Sequence, residues 1–347
     1  MPAGEPERVL FVLAGLIGDS VMSVPSILEA RRIWPAARIA VLGKRHHREL
    51  LAACPMIDEF FECNADPFSI RKSSEIAGLK EWLKAGKFDL AVILLGDQFA
   101  HLLAKAEIPT RVGVAGAALQ ATLTHTYNIG SPRTWGRNER LNSLRCLGLE
   151  SPDREPELWV VTEALESSRE KLLGMGLGGE QRYAVLHPFG STPRQWWELS
   201  KLPALVEGLY RQHGLCSVLV GKAYDLHGVK VEPKFELASD LLVNALDRFT
   251  VSELVAVIEQ AELVVTTDSG PFHIAGALRK PTVGLFRARR PEHAGAYPLA
   301  KVLFGENEIC QMECTWDECC ADPCRQMAEI SEIEVLEAAR QILTQQT

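Results

Sequence analysis

Residues 263–286 have the sequence LVVTTDSGPFHIAGALRKPTVGLF, which contains the three elements of one βαβ unit. The apolar run at 263–266 predicts a buried strand, 271–278 predicts a helix, and 282–286 predicts a second strand. Strands that alternate with helices in this way are typical of α/β proteins with a parallel sheet.

The same alternation extends outward from this unit towards both ends of the chain. Further strands are predicted at 9–13, 38–42, 90–95, 183–187 and 217–221, and further helices at 20–34, 46–53, 73–85, 202–211, 250–260 and 332–343. The pattern pauses after residue 149 and restarts at 183, so we expect two doubly wound α/β halves. Ligands of such folds bind at the carboxyl ends of the strands, which predicts a central cleft faced by both halves.

The domain boundaries follow from length and composition. A chain of 347 residues is long for one hydrophobic core. The stretch at 151–157 is polar and carries two prolines, and 174–179 contains four glycines. We therefore predict an N-terminal Rossmann-like domain at 1–155 and a linker region at 156–180. A C-terminal Rossmann-like domain follows at 181–330, and a C-terminal helix at 331–347. The last helix is a candidate to pack back on the first domain.

Composition and charge exclude several classes of protein. With 47% hydrophobic and 24% charged residues the chain is neither disordered nor fibrous, and its net charge of −8 argues against a nucleic-acid partner. The apolar run at 9–17 follows Glu5 and Glu7 and therefore lacks the positive region of a signal peptide, and Asp19 ends it too early for a membrane span. We expect a cytoplasmic protein, with peripheral association with the inner face of the cytoplasmic membrane left open.

The first chemistry-bearing loop follows the strand predicted at 9–13. Its sequence, AGLIGDS at 14–20, has Gly15 and Gly18 as permissive backbone positions and places Asp19 beside a helix N-terminus. The carboxylate of Asp19 is either a helix cap or a general base at the edge of the sheet. A G-x-G-x-x-G pattern is absent from this loop, so a dinucleotide fingerprint is not supported.

Two further loops carry groups that suit phosphate oxygens. In the second, HPFGSTPRQW at 187–196, Gly190, Ser191, Thr192 and Arg194 offer amide, hydroxyl and guanidinium donors, unless the loop is a solvated turn.

In the third loop, Asp268, Ser269 and Gly270 precede a helix whose N-terminus is either an anion site or an ordinary cap. His273, one turn into that helix, either faces the same ligand or packs in the core.

Together these loops resemble glycosyltransferase family 9, the ADP-heptose:lipopolysaccharide heptosyltransferases. The matching residues are Ile17-Gly18-Asp19, Ser23-Val24-Pro25, Trp34-Pro35-Ala36, His187-Pro188, Asp268-Ser269-Gly270, His273, Pro281-Thr282-Val283 and Leu285-Phe286. The resemblance implies a GT-B fold, with the acceptor site mainly in the first domain beside Gly15 and Gly18 and the donor site mainly in the second. It also implies inverting transfer with no cofactor required for catalysis.

On this resemblance, Asp19 is the expected catalytic base. The expected donor-binding residues are Gly190, Ser191, Thr192, Arg194, Asp268, Ser269, Gly270 and His273. Arg194 stands where the family has lysine, and the arginine-rich stretch at 287–290 replaces the family's Gly-Pro-Thr, which leaves the donor's identity open.

The expected function is transfer of a sugar, heptose from ADP-heptose, to an acceptor hydroxyl in lipopolysaccharide core or related glycan biosynthesis. The expected partners are a nucleotide-diphosphate sugar and a glycan, lipid-linked glycan or protein acceptor. Three alternatives stay open: a GT-B transferase that uses another nucleotide sugar, a heptosyltransferase that acts on a protein or small metabolite, and a degenerate sugar-binding module without activity.

Nine cysteines are present, and five of them lie within 310–324. Cys310, Cys314, Cys319 and Cys324 are candidate ligands of a structural zinc or iron site, although their spacing is not that of a plain zinc finger. Free thiols or one labile disulfide are the alternatives. The scattered cysteines are expected to be small core residues in a reducing compartment.

Overall fold

The computed structural model describes residues 5–64, 74–95, 99–116, 120–129, 137–190, 195–222, 240–286, 297–305 and 324–345. The chain forms two compact units, Met1–Trp159 and Val160–Thr347. In the described part of the chain, each unit is built on one six-stranded parallel sheet.

The first unit alternates strands with helices. Its strands are β1 (Arg8–Val12), β2 (Arg38–Gly43), β3 (Glu59–Glu62), β4 (Leu90–Ile93), β5 (Thr110–Val114) and β6 (His125–Tyr127). Its helices are α1 (Ile17–Ile33), α2 (Arg45–Leu50), α3 (Ser74–Gly86), α4 (Ala100–Lys105) and α5 (Asn142–Arg145), with 3₁₀ turns at Gln120–Thr122 and Arg137–Leu141. The residues Val9 to Val12 are all 0% exposed, as expected of a central strand covered on both faces.

The second unit repeats this arrangement. Its strands are β7 (Tyr183–His187), β8 (Cys216–Leu219), β9 (Leu242–Asn244), β10 (Leu263–Thr267), β11 (Thr282–Phe286) and β12 (Ala300–Phe304). Its helices are α6 (Thr162–Gly174), α7 (Leu202–His213), α8 (Val251–Gln260), α9 (Gly270–Ala277), α10 (Arg325–Glu329) and α11 (Glu332–Thr344), with a 3₁₀ turn at Leu199–Lys201.

The strand orders confirm two doubly wound, Rossmann-like sheets. They are β3-β2-β1-β4-β5-β6 in the first unit and β9-β8-β7-β10-β11-β12 in the second. In each sheet the order reverses between the first and fourth strands of the unit, and ligands of open α/β sheets bind at the carboxyl ends of the strands at this switch. The loops after β1, β7 and β10 are therefore the candidate ligand-binding positions. No helix in the described ranges is long and apolar enough to cross a bilayer.

The final helix belongs to the core of the second unit. In α11, Val335, Ala339 and Ile342 are buried with residues of α7, β10 and β11. A Cβ on Gly208 of α7 would lie 2.5 Å from the Leu336 side chain. Glycine at this position therefore allows α7 and α11 to approach closely.

Helix α6 lies in the stretch 156–180 that the sequence predicts as a linker, and it packs against α8. A buried carboxylate holds the two together: Glu253 accepts hydrogen bonds from Ser167 Oγ at 2.6 Å and Lys171 Nζ at 2.7 Å. Glu253 also forms the predicted capping box with Thr250. Burial alone would raise the pKa of Glu253, but these donors outweigh it and lower the pKa to about 2.

Candidate active site

The loop after β1 places one carboxylate at the switch point of the first sheet. Gly15 has a φ of +92°, a left-handed conformation that favours glycine. Leu16 is the N-cap of α1, and Asp19, in the first turn, accepts a hydrogen bond from the Leu16 N–H at 3.1 Å through Oδ2. The Asp19 side chain is 22% exposed, so it both fixes the helix start and reaches solvent.

A buried arginine faces the other oxygen of the same carboxylate. Arg140 Nη2 lies 3.3 Å from Asp19 Oδ1, and the Arg140 side chain is 1% exposed. The 3₁₀ turn Arg137–Leu141 that carries Arg140 packs against α1. Sequence reasoning missed Arg140 because 121 residues separate it from Asp19, and nothing in its own neighbourhood indicates the pairing.

Two histidines fix the carbonyl of the same loop. The Gly15 carbonyl accepts hydrogen bonds from Nε2 of His46 at 3.2 Å and Nε2 of His47 at 3.3 Å. His47 Nδ1 in turn accepts a hydrogen bond from the Lys44 N–H at 2.9 Å, so the neutral Nε2–H tautomer satisfies both contacts. Burial lowers the pKa of His47 to about 3 and also lowers the pKa of His46.

The buried His47 makes the stability of the first unit sensitive to acid. The pKa of His47 falls from 6.5 to about 3 on folding, so its contribution to stability is complete above pH 6.5 and declines as the pH falls towards 3. A bound proton is worth about 1.4 kcal/mol per pH unit. We expect the free energy of unfolding to decline more between about pH 7.5 and about pH 5.5 in the native chain than in His47→Gln. Urea titrations at both pH values measure the difference, and equal declines would contradict this account.

In the second unit, the loops after β7 and β10 are joined by a cluster of hydroxyls around one histidine. His187 Nδ1 lies 3.1 Å from Ser269 Oγ and 3.4 Å from Thr266 Oγ1, and the two hydroxyls lie 3.1 Å apart. Burial lowers the pKa of His187 to about 4, so the imidazole is neutral at physiological pH. Thr267 Oγ1 also donates to the Phe189 carbonyl. The described residues at the carboxyl ends of β7 and β10 therefore form one wall at the switch point of the second sheet.

Helix α9 begins directly after Ser269, which belongs to this wall. Ser269 is its N-cap, but its hydroxyl is engaged by the histidine cluster and does not cap the helix. Pro271 has no N–H, and the Phe272 N–H bonds to the Ser269 carbonyl at 3.0 Å. The Ser269 side chain thus leaves the Gly270 amide and the positive end of the helix dipole uncapped, an arrangement that suits an anionic ligand.

Gly190 lies in the loop after β7, at a crowded position. Its carbonyl accepts a hydrogen bond from Trp196 Nε1 at 3.3 Å. A Cβ at Gly190 would lie 2.3 Å from the Gln195 side chain, so the position requires glycine in this packing. Three of the expected donor contacts, Ser191, Thr192 and Arg194, lie outside the described residues.

His273 is buried, at 8% exposure, and packs beside Phe272. Its Nδ1 lies 3.0 Å from the hydroxyl of Tyr297. The core packing named as one alternative for this residue is therefore present, and its contact with a donor stays a prediction, as does that of Asp268.

The cysteine cluster lies largely outside the described ranges, which include Cys324 but not Cys310, Cys314 or Cys319. Cys324 is buried, at the start of α10. Within the part of the chain that the structure describes, no group of three or more histidine, cysteine or acidic side chains is placed to hold a metal ion.

Comparison with known proteins gives a consistent result. The family model described as "Glycosyltransferase family 9 (heptosyltransferase)" matches residues 76–324. Lipopolysaccharide heptosyltransferase 3 of Escherichia coli is 24% identical over 287 residues, which cover 78% of this chain and 81% of the relative.

Two solved structures share the whole fold. A glycosyltransferase family 9 protein from Veillonella parvula superposes with a TM-score of 0.78 at 20% identity, covering 98% of this chain and 97% of the other. The ADP-heptose lipopolysaccharide heptosyltransferase II of Escherichia coli superposes with a TM-score of 0.75 at 20% identity, covering 98% and 99%. These are GT-B proteins, and the expected GT-B fold is confirmed.

Proposed function

The chain belongs to glycosyltransferase family 9, and from that membership we propose that it transfers heptose from ADP-heptose to a hydroxyl of a glycan in lipopolysaccharide core biosynthesis. The observation that carries the proposal is the family match, which spans the uncapped N-terminus of α9. The named relatives of the chain add support, since they are lipopolysaccharide heptosyltransferases.

In the proposed reaction, Asp19 is the general base. Its carboxylate takes the proton of the acceptor hydroxyl while the hydroxyl oxygen forms a bond to the anomeric carbon of the donor. The bond from that carbon to the diphosphate breaks, its electron pair leaves with ADP, and the anomeric configuration inverts. Asp19 then releases the proton to solvent. General-base assistance of this kind is worth about 10²–10⁴-fold in rate.

The second unit is proposed to hold the donor. A diphosphate gains negative charge as it leaves, and the Gly270 amide with the dipole of α9 is positioned to stabilise it. We assign Gly190, Ser191, Thr192 and Arg194 of the loop after β7 to the same ligand, because hydroxyls and a planar guanidinium match phosphate oxygens.

Ser269→Ala tests the donor site. The substitution removes only the hydroxyl that lies 3.1 Å from His187 Nδ1 and 3.1 Å from Thr266 Oγ1. Loss of one such hydrogen bond in a phosphate-binding wall is expected to weaken ADP binding about tenfold, measured by titration calorimetry.

Ser217→Ala is the matched control. Ser217 is a buried serine on β8 of the same unit, and its hydroxyl has no hydrogen-bond partner among the described residues. This variant should bind ADP as the native chain does. Equal ADP affinity in Ser269→Ala and the native chain would show that Ser269 does not belong to the donor site.

A panel of nucleotide sugars tests the donor's identity. A ligand at 100 times its dissociation constant stabilises the protein by about 2.7 kcal/mol, so matched concentrations of ADP-heptose, UDP-sugars and GDP-sugars can be ranked by thermal shift. ADP-heptose should give the largest shift. A larger shift with a UDP- or GDP-sugar favours the other transferase alternative, and binding without release of ADP in the presence of acceptors favours a binding module.

The proposed compartment is the cytoplasm, where thiols stay reduced. The buried free thiols of Cys54 and Cys216 fit that setting. A lipid-linked acceptor would bring the protein to the inner face of the membrane, which co-sedimentation with vesicles carrying lipopolysaccharide tests; no more sedimentation than with plain phosphatidylcholine vesicles would exclude it.

A metal site at Cys310, Cys314, Cys319 and Cys324 is proposed with a structural role only. Metal analysis of protein purified without a tag and without oxygen decides the matter. About one zinc or iron per chain is expected, and a metal-free protein that keeps its melting temperature would exclude the site.

A further inference from the structure

Arg140 is an arginine in an unusual setting. Its side chain is 1% exposed, whereas guanidinium groups are always charged and seldom fully buried. A buried charge is costly unless an opposite charge and hydrogen bonds compensate it. The groups that compensate the charge of Arg140 therefore indicate the role of this side chain.

Among the residues that the structure describes, Asp19 is the carboxylate that pairs with Arg140, through a single contact of 3.3 Å from Nη2. The Nε and Nη1 atoms of Arg140 are buried and have no hydrogen-bond partner in the same part of the chain. Nearby Tyr127 supplies no negative charge, because burial raises its pKa and its hydroxyl donates to the Ile93 and Leu94 carbonyls at 3.0 and 2.9 Å. Within the described part of the chain, compensation of the buried cation thus rests on Asp19.

The two oxygens of Asp19 are held by donors from different elements. The Leu16 N–H bonds Oδ2 at 3.1 Å, and Arg140 Nη2 lies 3.3 Å from Oδ1. Two fixed donors on one carboxylate restrict its side-chain torsions more than either alone. The turn beneath Arg140 is itself braced, because Ser143 Oγ donates to the Arg140 carbonyl at 2.7 Å.

We propose that Arg140 is a positioning residue that holds the Asp19 carboxylate in the orientation in which it receives the proton of the acceptor hydroxyl. The inference rests on the proposed function, since it assigns Arg140 to the base of that reaction. In the proton-transfer step the hydroxyl O–H bond breaks, the O–H bond on Asp19 forms, and Arg140 gains and loses no proton. Misplacement of a reacting group by about 1 Å can cost about 10²-fold in rate, which sets the size of the effect.

A double-mutant cycle tests this role, with turnover measured on ADP-heptose and lipopolysaccharide truncated in its heptose region. Arg140→Met is expected to lower kcat about 10²-fold and to leave the KM for ADP-heptose unchanged. Arg140→Lys, which keeps a cation, should recover part of kcat. Because Arg140 acts through Asp19, the double variant Asp19→Asn/Arg140→Met should be no slower than Asp19→Asn alone.

Arg145→Met is the control, since Arg145 lies in the same segment but is half-exposed and pairs with Asp153 at 2.7 Å. It should keep native kcat. Independent, multiplying losses in the double variant, or native kcat in Arg140→Met, would overturn the proposal. If Arg140→Met does not fold, the same cycle with Arg140→Lys gives the answer: its loss in kcat disappears in the Asp19→Asn background if Arg140 is a positioning residue and persists if it is not.

Failure of the proposed function gives a different result. Native turnover in Asp19→Asn would show that Asp19 is not the general base, whatever the turnover of the Arg140 variants. A slow Asp19→Asn with multiplying Arg140 losses would keep the base and reject the positioning role alone.

Discussion

Asp19→Asn is expected to lower kcat by about 10²–10⁴-fold while the affinity for ADP stays unchanged. The amide retains the shape of the carboxylate, and its oxygen can still accept the Leu16 N–H bond, which is 3.1 Å long in the native chain. It cannot take a proton from the acceptor hydroxyl. ADP affinity should persist because the proposed donor contacts lie in the second unit. Steady-state kinetics and calorimetry on the same preparation measure the two quantities.

The substitution also leaves Arg140 without its counter-ion, so stability must be followed separately. Asp58→Asn is a matched control, because Asp58 likewise pairs with an arginine, Arg31 at 2.6 Å, and accepts a backbone hydrogen bond from Ile39 at 2.7 Å. We expect Asp58→Asn to lose stability and keep kcat. A folded Asp19→Asn with near-native kcat would refute the base assignment.

Gly15→Ala is expected to lower kcat by about 10²-fold through one added methyl group. A Cβ at this position would lie 2.6 Å from Asp19 Oδ2 and 2.7 Å from Leu95 Cδ2, so the carboxylate must move. The φ of +92° adds backbone strain, and the Gly15 carbonyl that His46 and His47 hold would shift with the loop.

Gly148→Ala separates strain from displacement. Gly148 has a φ of +79°, close to that of Gly15, but a Cβ there would have no atom within 4 Å. Both variants should lose stability in urea titrations, because both place a side chain at positive φ, whereas only Gly15→Ala should lose turnover. Equal kcat in the two variants would show that the position of the Gly15 loop does not matter for the reaction.

Strong local signals made much of the fold predictable. The bounds of β7 and β11 agree with the predicted strands at 183–187 and 282–286, because continuous apolar runs mark strands covered on both faces. The outer strands were missed for the opposite reason. The residues of β3 (Glu-Phe-Phe-Glu) and of β12 are all half-buried, so their sequences lack a clear burial pattern, and β9 has only three residues.

The residues of the candidate site likewise divide into those that the sequence predicts and those that it does not. Gly15 and Asp19 were found because glycines and an acidic residue follow a clear strand. Arg140 and the neutral His47 could not be found, since their roles come from contacts with residues 121 and 32 positions away. Pairings at such separations depend on the folded chain, and one sequence carries no local sign of them.

The central claim is tested most directly by incubating the native chain with ADP-heptose and heptose-truncated lipopolysaccharide and analysing the acceptor by mass spectrometry and NMR. We predict release of ADP and an acceptor heavier by one heptose, linked with inverted anomeric configuration. An acceptor left unchanged by ADP-heptose but modified when a UDP- or GDP-sugar is supplied would contradict the account.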